Sequence, residues 1–352
     1  MKRTLILAAA SLLALAPVVS SAQPYYFVGP AGGDFFDEGN WNDAADGTGA
    51  FLAGDPLFDS ASAAIDLDLI IDGDVVVANG EVDFGPGSLS LGSGSLLLVS
   101  GAGSDLDINS NSTFSLTEAT LIVDDVINFE GTSTFSGGSV QSLFDDIAFQ
   151  DNFDNLTING TLFTAFDNIY FDGFNGSITG ASFDSGDRLG VRNSVGVVMT
   201  DSVLVIQDGT GDIDDVFAAA GAGSSLTLLG NSVLVADSVE EGAQLFLGGS
   251  TDALMGGQGE RIVTTDSLIT MTTTDAILSI ATLDPMGVDY VDARPYLVNG
   301  LTGQTYAENP FTWNVSNWDG FSAVTLQVRV PEPSAAAVLL IGAVAAPRRR
   351  RV

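Results

Sequence analysis

The side chains that carry most enzyme chemistry are missing from this 352-residue sequence, which has no histidine, no cysteine and one lysine, Lys2. A Ser-His-Asp triad, a Cys-His pair and a His-ligated zinc are excluded on that ground. Carboxylates and guanidinium groups remain. Among 45 Asp and Glu residues a pair could stand at the separation that glycoside hydrolysis needs. Arg188 and Arg192, in Gly186-Asp-Arg-Leu-Gly-Val-Arg-Asn193, are the arginines to consider for a catalytic role. An ion pair with Asp184 or Asp187 is the commoner use of such a residue. The chain is therefore expected to be no enzyme, with no catalytic residue assigned.

The acidic runs offer cation sites instead. Asp208-Gly-Thr-Gly-Asp212, followed by Asp214 and Asp215, puts four carboxylates within eight residues on a chain bent by glycine. Asp208, Asp212, Asp214 and Asp215 are the candidate calcium ligands, weighed against a solvated turn. Asp105-Leu-Asp-Ile-Asn-Ser-Asn111 opens like a calcium loop, but Ser110 stands where the loop's glycine belongs and Leu116 where its bidentate Glu belongs. Its Leu106 and Ile108 alternate with polar residues, as in a half-buried strand. No cofactor is required, and calcium is the ion that fits. A net charge of −34 repels phosphate backbones, so nucleic acid is not an expected partner.

Any such site must sit on elements the chain can build. High net charge with low hydrophobicity would mean disorder, but 45% of the residues are hydrophobic and the mean hydropathy is +0.31. Without disulfides, burial and backbone pairing must suffice. Strand-sized runs recur, among them Leu67 to Ile71, Leu96 to Val99, Leu121 to Val123 and Leu226 to Leu229, separated by Gly, Asn, Asp and Ser. Ser202-Val-Leu-Val-Ile206 and Ser232-Val-Leu-Val-Ala236 repeat almost verbatim and point to a period near thirty residues. The expected fold is all-β, a right-handed parallel β-helix or β-solenoid with β caps, a signal helix before it and a short apolar helix after it. Asn159-Gly160 is a local hairpin signal. Phe135, Phe144, Phe149, Phe153, Phe163, Phe166, Phe171 and Phe174 are expected to form an inward aromatic ladder. Asp145, Asp146, Asp151, Asp154, Asp167 and Asp172 would lie outward on turns.

The termini carry addresses. Met1-Lys2-Arg3, the apolar Leu5 to Ala16 and Ser20-Ser21-Ala22 form a signal peptide, with cleavage after Ala22. At the other end come Pro331-Glu332-Pro333, an apolar run from Ala335 to Ala346, Pro347, and Arg348, Arg349, Arg350 and Arg351. That order resembles the PEP-CTERM sorting tail of exported bacterial proteins. The resemblance implies cutting near the triplet by an exosortase, a membrane protease-transpeptidase, after transient insertion of the tail into the inner membrane of a Gram-negative cell. The basic stop would stay inside and the body outside. Pro24-Tyr-Tyr-Phe-Val28, Gly32-Gly-Asp34 and Asn40-Trp41 resemble the start of exported β-solenoids with autotransporter-type strand repeats. The expected division is residues 1–22 signal peptide, 23–64 aromatic-rich cap, 65–286 solenoid body, 287–330 C-terminal β cap and 331–352 sorting tail.

With that resemblance, the expectation is an exported protein of the cell envelope, outer surface or extracellular matrix, structural or adhesive, with an exosortase-like protease and exopolysaccharide as partners. Two alternatives remain open from sequence. One is a carbohydrate-active lyase or hydrolase on a β-helix, where some lyases use an arginine base beside acidic calcium ligands. The other is a calcium-dependent glycan-binding module.

Overall fold

Alternation at period two turns each short run into a strand with one apolar face. Leu96–Ser100 buries Leu97 and Val99, and Thr113–Thr117 buries Phe114 and Leu116, while the residues between them point outward. In the computed structural model, residues 23–52, 64–150, 156–174, 176–193, 195–206, 216–218, 224–236, 238–239, 242–256, 262–263, 266–281, 288–317 and 323–330 are described. The signal peptide through Ala22, the candidate ligands Asp208, Asp212, Asp214 and Asp215, the sorting tail, and Phe153, Asp151 and Asp154 lie outside the described residues.

The strands wind into a β-solenoid of eight three-sided coils between Asp68 and Val239. Coil one places Asp68–Ile71, Val75–Asn79 and Val82–Phe84 on a first, second and third face. Coil four is Thr132–Ser136, Ser139–Ser142 and Ile147–Phe149; coil five is Leu156–Asn159, Leu162–Ala165 and Ile169–Asp172; coil six is Ser177–Thr179, Ser182–Ser185 and Arg188–Arg192. Every strand of the eight coils pairs in parallel with its counterparts in the neighbouring coils. Two more coils continue the first and second faces through Gln244–Leu247, Asp252–Met255, Leu268–Met271 and Ile277–Ala281. Among the described residues no helix is long and apolar enough to cross a membrane.

The period is shorter and less regular than the repeat of Ser202 and Ser232 indicates. Register partners are 30 residues apart at Val203 and Val233, but 20 apart at Leu69 and Leu89 and 19 apart at Phe114 and Ser133. Corners of different length cause the variation, because strands must align while the turns between them need not. Asn159-Gly160 makes such a corner rather than a hairpin. Leu156–Asn159 lies on the first face and Leu162–Ala165 on the second, with Gly160 at φ +70°. Gly138 serves the same purpose at φ +74°, where a Cβ would collide with the Ala119 carbonyl oxygen of the coil beneath.

The aromatic ladder is present in part. Phe129, Phe149 and Phe171 stack down the third face at 5.4 and 4.9 Å between centroids, Phe163 stacks on Phe183 at 5.2 Å, and Phe135 meets Phe163 edge-on at 5.1 Å. Phe144 and Phe166 do not belong to it. Both fall at a corner, outside the alternation of any strand, and both are 67% exposed.

Each end is closed differently. Tyr25–Phe27 and Gly33–Asp34 extend the first and second faces beneath coil one, with Phe27, Phe35 and Trp41 buried edge-to-face. At the far end the short helix Val288–Ala293 leads to Leu297–Asn299, the last parallel strand of the first face. Ala323–Val328 then pairs antiparallel with Ile277–Ala281, and Trp313–Asn317 antiparallel with Ala323–Val328. Phe149→Ala, which removes the middle ring of the stack, is expected to lower stability by about 3–5 kcal/mol. Phe144→Ala should change it by less than about 0.5 kcal/mol. Urea unfolding of the two variants checks the contrast.

Candidate functional site

The corner between the second and third faces is where chemistry-bearing side chains gather. It is short and acidic in successive coils: Asp124 and Asp125 in coil three, residues 143–146 in coil four, 166–168 in coil five, and Gly186 with Asp187 in coil six. The backbone ladder runs through it. Asp167 N donates to Asp145 O at 3.4 Å, Asp187 N to Asp167 O at 2.9 Å, and Ile147 N to Asn168 O at 2.8 Å. Ser142 Oγ stands 2.7 and 2.8 Å from the carbonyl oxygens of Asp125 and Asp145. Ser185 Oγ stands 2.9 and 2.6 Å from those of Asp167 and Arg188. These serines fix the corner from inside.

Coils four and five are in register through Ile147 with Ile169 and Phe149 with Phe171, a spacing of 22 residues. Phe144-Asp145-Asp146 therefore lies against Phe166-Asp167-Asn168. The carboxylates of Asp145, Asp146 and Asp167 come within 4.8 Å of one another. Asn168 donates from both its backbone N and its side-chain Nδ2 to Asp146 Oδ1, each at 2.8 Å. The two exposed phenylalanines, Phe144 and Phe166, each immediately precede the acidic residues of their own coil, at equivalent positions. In coil six Gly186 follows in the row, because a Cβ there would collide with the Phe166 carbonyl oxygen.

Burial raises the carboxyl pKa of Asp146, against the opposing effect of the two Asn168 hydrogen bonds. Burial also raises that of Asp145, and the Asp146 charge adds to it. Asp105 in coil two is raised by burial as well. The arginines proposed from sequence stand beside this corner, on the third-face strand of coil six. Arg188 Nε lies 3.8 Å from Asp187 Oδ2, and the Arg192 guanidinium sits 3.8 Å above the Tyr170 ring. The Asp105 to Asn111 stretch is no loop. Leu106–Ile108 is the third-face strand of coil two, and Asp107 Oδ1 accepts from Asn128 Nδ2 at 2.7 Å.

Sequence reasoning placed Asp145, Asp146 and Asp167 on turns but did not bring them together. A signal for it existed in Phe144-Asp-Asp-Ile-Ala-Phe149 and Phe166-Asp-Asn-Ile-Tyr-Phe171. Comparison of the chain with protein-family models, curated proteins and solved structures finds no match.

A carboxyl whose pKa is raised on folding binds its proton more tightly in the native state, so its contribution to stability is full in acid and is lost as pH climbs through the raised value. The melting temperature, measured in chelator, is expected to increase as pH is lowered from 7 toward the ordinary carboxylate range of about 4. Asp146→Asn should flatten that dependence.

Proposed function

We propose that this chain is an exported structural or adhesive β-solenoid of the bacterial envelope or extracellular matrix, holding polysaccharide at the corner of coils four and five. One observation supports this above the rest: two phenylalanines, each 67% exposed, stand at equivalent positions of successive coils, next in sequence to half-buried carboxylates, on a backbone fixed by parallel ladders. Aromatic rings held open to solvent offer apolar faces to the C–H faces of sugar rings, and carboxylate oxygens accept from sugar hydroxyls. Exopolysaccharide is the partner of that chemistry. Delivery follows the PEP-CTERM-like tail: the signal peptide ends at Ala22, the apolar run holds the body at the inner membrane, and an exosortase-like protease cuts near Pro331, Glu332 and Pro333. The leader and tail are taken as short helices, and the coils as right-handed, the hand of nearly all parallel crossovers.

A second reading has its own support. The carboxylate oxygens lie within 4.8 Å of one another, closer than the about 5–5.5 Å between the carboxyl groups of retaining glycosidases, and burial raises the Asp146 pKa in the direction a general acid needs. The lyase reading has less, since Arg188 and Arg192 are engaged with Asp187 and Tyr170.

Affinity electrophoresis of the purified protein through gels containing exopolysaccharide tests the adhesive reading. Phe144→Ser with Phe166→Ser is expected to weaken retention at least tenfold while leaving the circular dichroism spectrum unchanged; equal retention would overturn it. New reducing ends that vanish with Asp146→Asn would install the hydrolase in its place. For delivery, alanine at Pro331, Glu332 and Pro333 should leave the tail uncut in the host, and normal processing of that variant would remove the sorting claim.

A further inference from the structure

We propose that the apolar run from Ala335 to Ala346 folds back, in the uncut chain, onto a groove in the outer surface of the second face, so that the body covers part of its own tail. The groove has a volume of about 460 Å³ and crosses five hydrogen-bonded neighbours: Val233–Ala236, Asp252–Met255, Ile277–Ala281, Ala323–Val328 and Trp313–Asn317. Val233, Val235, Leu254 and Ile277 line it from outward positions. Ser279 lies in the same outward row as Leu254 and is still only 7% exposed, which marks the groove's depth.

Outward positions of a solvated face are normally polar, and in coils four and six these rows read Ser139 with Gln141 and Ser182 with Asp184. From coil seven upward they read Val203 with Val205, then Val233 with Val235, then Leu254 and Ile277. A contiguous apolar patch of this kind marks a contact surface.

Three observations select the occupant. The first is where the chain leaves the fold. Ala323–Val328 is part of the groove, Arg329 N donates to Thr312 O at 2.8 Å, and Val330, 67% exposed, is the last described residue. Pro331 to Ser334 span at most about 14 Å, enough to turn the chain back over the groove. The second is length. Taken as a helix, the run measures about 18 Å, short of a hydrocarbon core of about 30 Å. Five strands at spacings of about 4.8 Å measure about 19 Å, so the run and the groove match.

The third is charge. A run laid from Ala323–Val328 toward the lower coils ends near Val203–Ile206. Arg348 to Arg351 then reach Asp201, at the corner before that strand, and Asp184, which pairs in register with Val205; both are exposed. Such surface pairs add little energy but fix the direction of the run. The other apolar stretch of this face, Leu96, Leu98 and Ile122, lies in coils two and three. It is at least seven strand spacings from coil ten, about 34 Å, and beyond the helix.

Docking stands by itself; only its consequence, that groove and inner membrane compete for one segment, rests on the sorting reading above. With no cysteine in the chain, introduced pairs report proximity without background. Full-length protein carrying Asp252→Cys with Ala343→Cys is treated with a short bismaleimide in detergent-free buffer. Thr120→Cys with Ala343→Cys, on the same face in coil three, is the control. The groove pair is expected to link within one chain at least tenfold faster than the control. Adding Leu340→Asp with Ile341→Asp, outside the solenoid, should bring it down to the control rate with an unchanged circular dichroism spectrum. Equal rates for the two cysteine pairs, or a rate that the aspartates leave unchanged, would overturn the docking. Links formed only between chains would overturn it too and give the groove to a second copy. Fast linking within a chain whose Pro331, Glu332 and Pro333 alanine variant is still cut normally upholds the docking and removes the sorting claim, whereas control-rate linking with the alanine variant left uncut removes the docking alone.

Discussion

Everything in this molecule depends on coils stacking in register along parallel hydrogen-bond ladders. With no cysteine in the chain, no disulfide cross-links one coil to the next. Each strand gains its pairing only if the coil below presents the same register, and a slip by one residue would turn the buried row of every strand outward. The core meets the requirement with like side chains on like rungs. Phe129, Phe149 and Phe171 lie above one another, as do Phe163 and Phe183. Corners absorb the variation in length, and small residues such as Gly138 and Gly186 let them pass close to the coil beneath.

The same rule that stacks apolar residues inside also stacks charges outside. Register that places Phe149 on Phe171 leaves Asp145 no choice but to face Asp167 across one coil spacing. Carboxylates free in solution would move apart. Here the Ser142 and Ser185 hydroxyls and the ladder hold them, and Asn168 clamps Asp146 through two donors. Cohesion of the core thus sets the electrostatics of the surface. A proton relieves the opposition that the backbone enforces.

How far the sequence was legible follows from the range of the interactions. Period-two alternation is local, so the all-β class and strand runs such as Leu96 to Val99 were readable directly, and the solenoid from the recurrence of such runs along the chain. Coil length is not local. The near-verbatim Ser202 and Ser232 runs mark one of the longest coils, and the spacing they gave does not hold for the others. Phe144 and Phe166 were counted with the inward phenylalanines because composition does not separate a corner from a strand. Asn159-Gly160 bent the chain as expected of that pair, but onto a different face. The acidic cluster needed the 22-residue register of Ile147 and Ile169, which the twin Phe-Asp-Asp and Phe-Asp-Asn segments carry once they are aligned.

The reversal of strand direction at the C-terminal end has a consequence for assembly. An open parallel solenoid would accept the first coil of another copy and grow into a fibre. The hairpin of Trp313–Asn317 and Ala323–Val328 runs against the ladder it caps, and the outermost strands Gly33–Asp34, Trp41–Asn42 and Gln304–Thr305 are only two residues long. Margins that are short or antiparallel give a second chain little to join. The first-face ladder of fourteen strands, thirteen spacings of about 4.8 Å, then fixes a rod of about 62 Å, a ruler whose length is written into the chain rather than set by concentration.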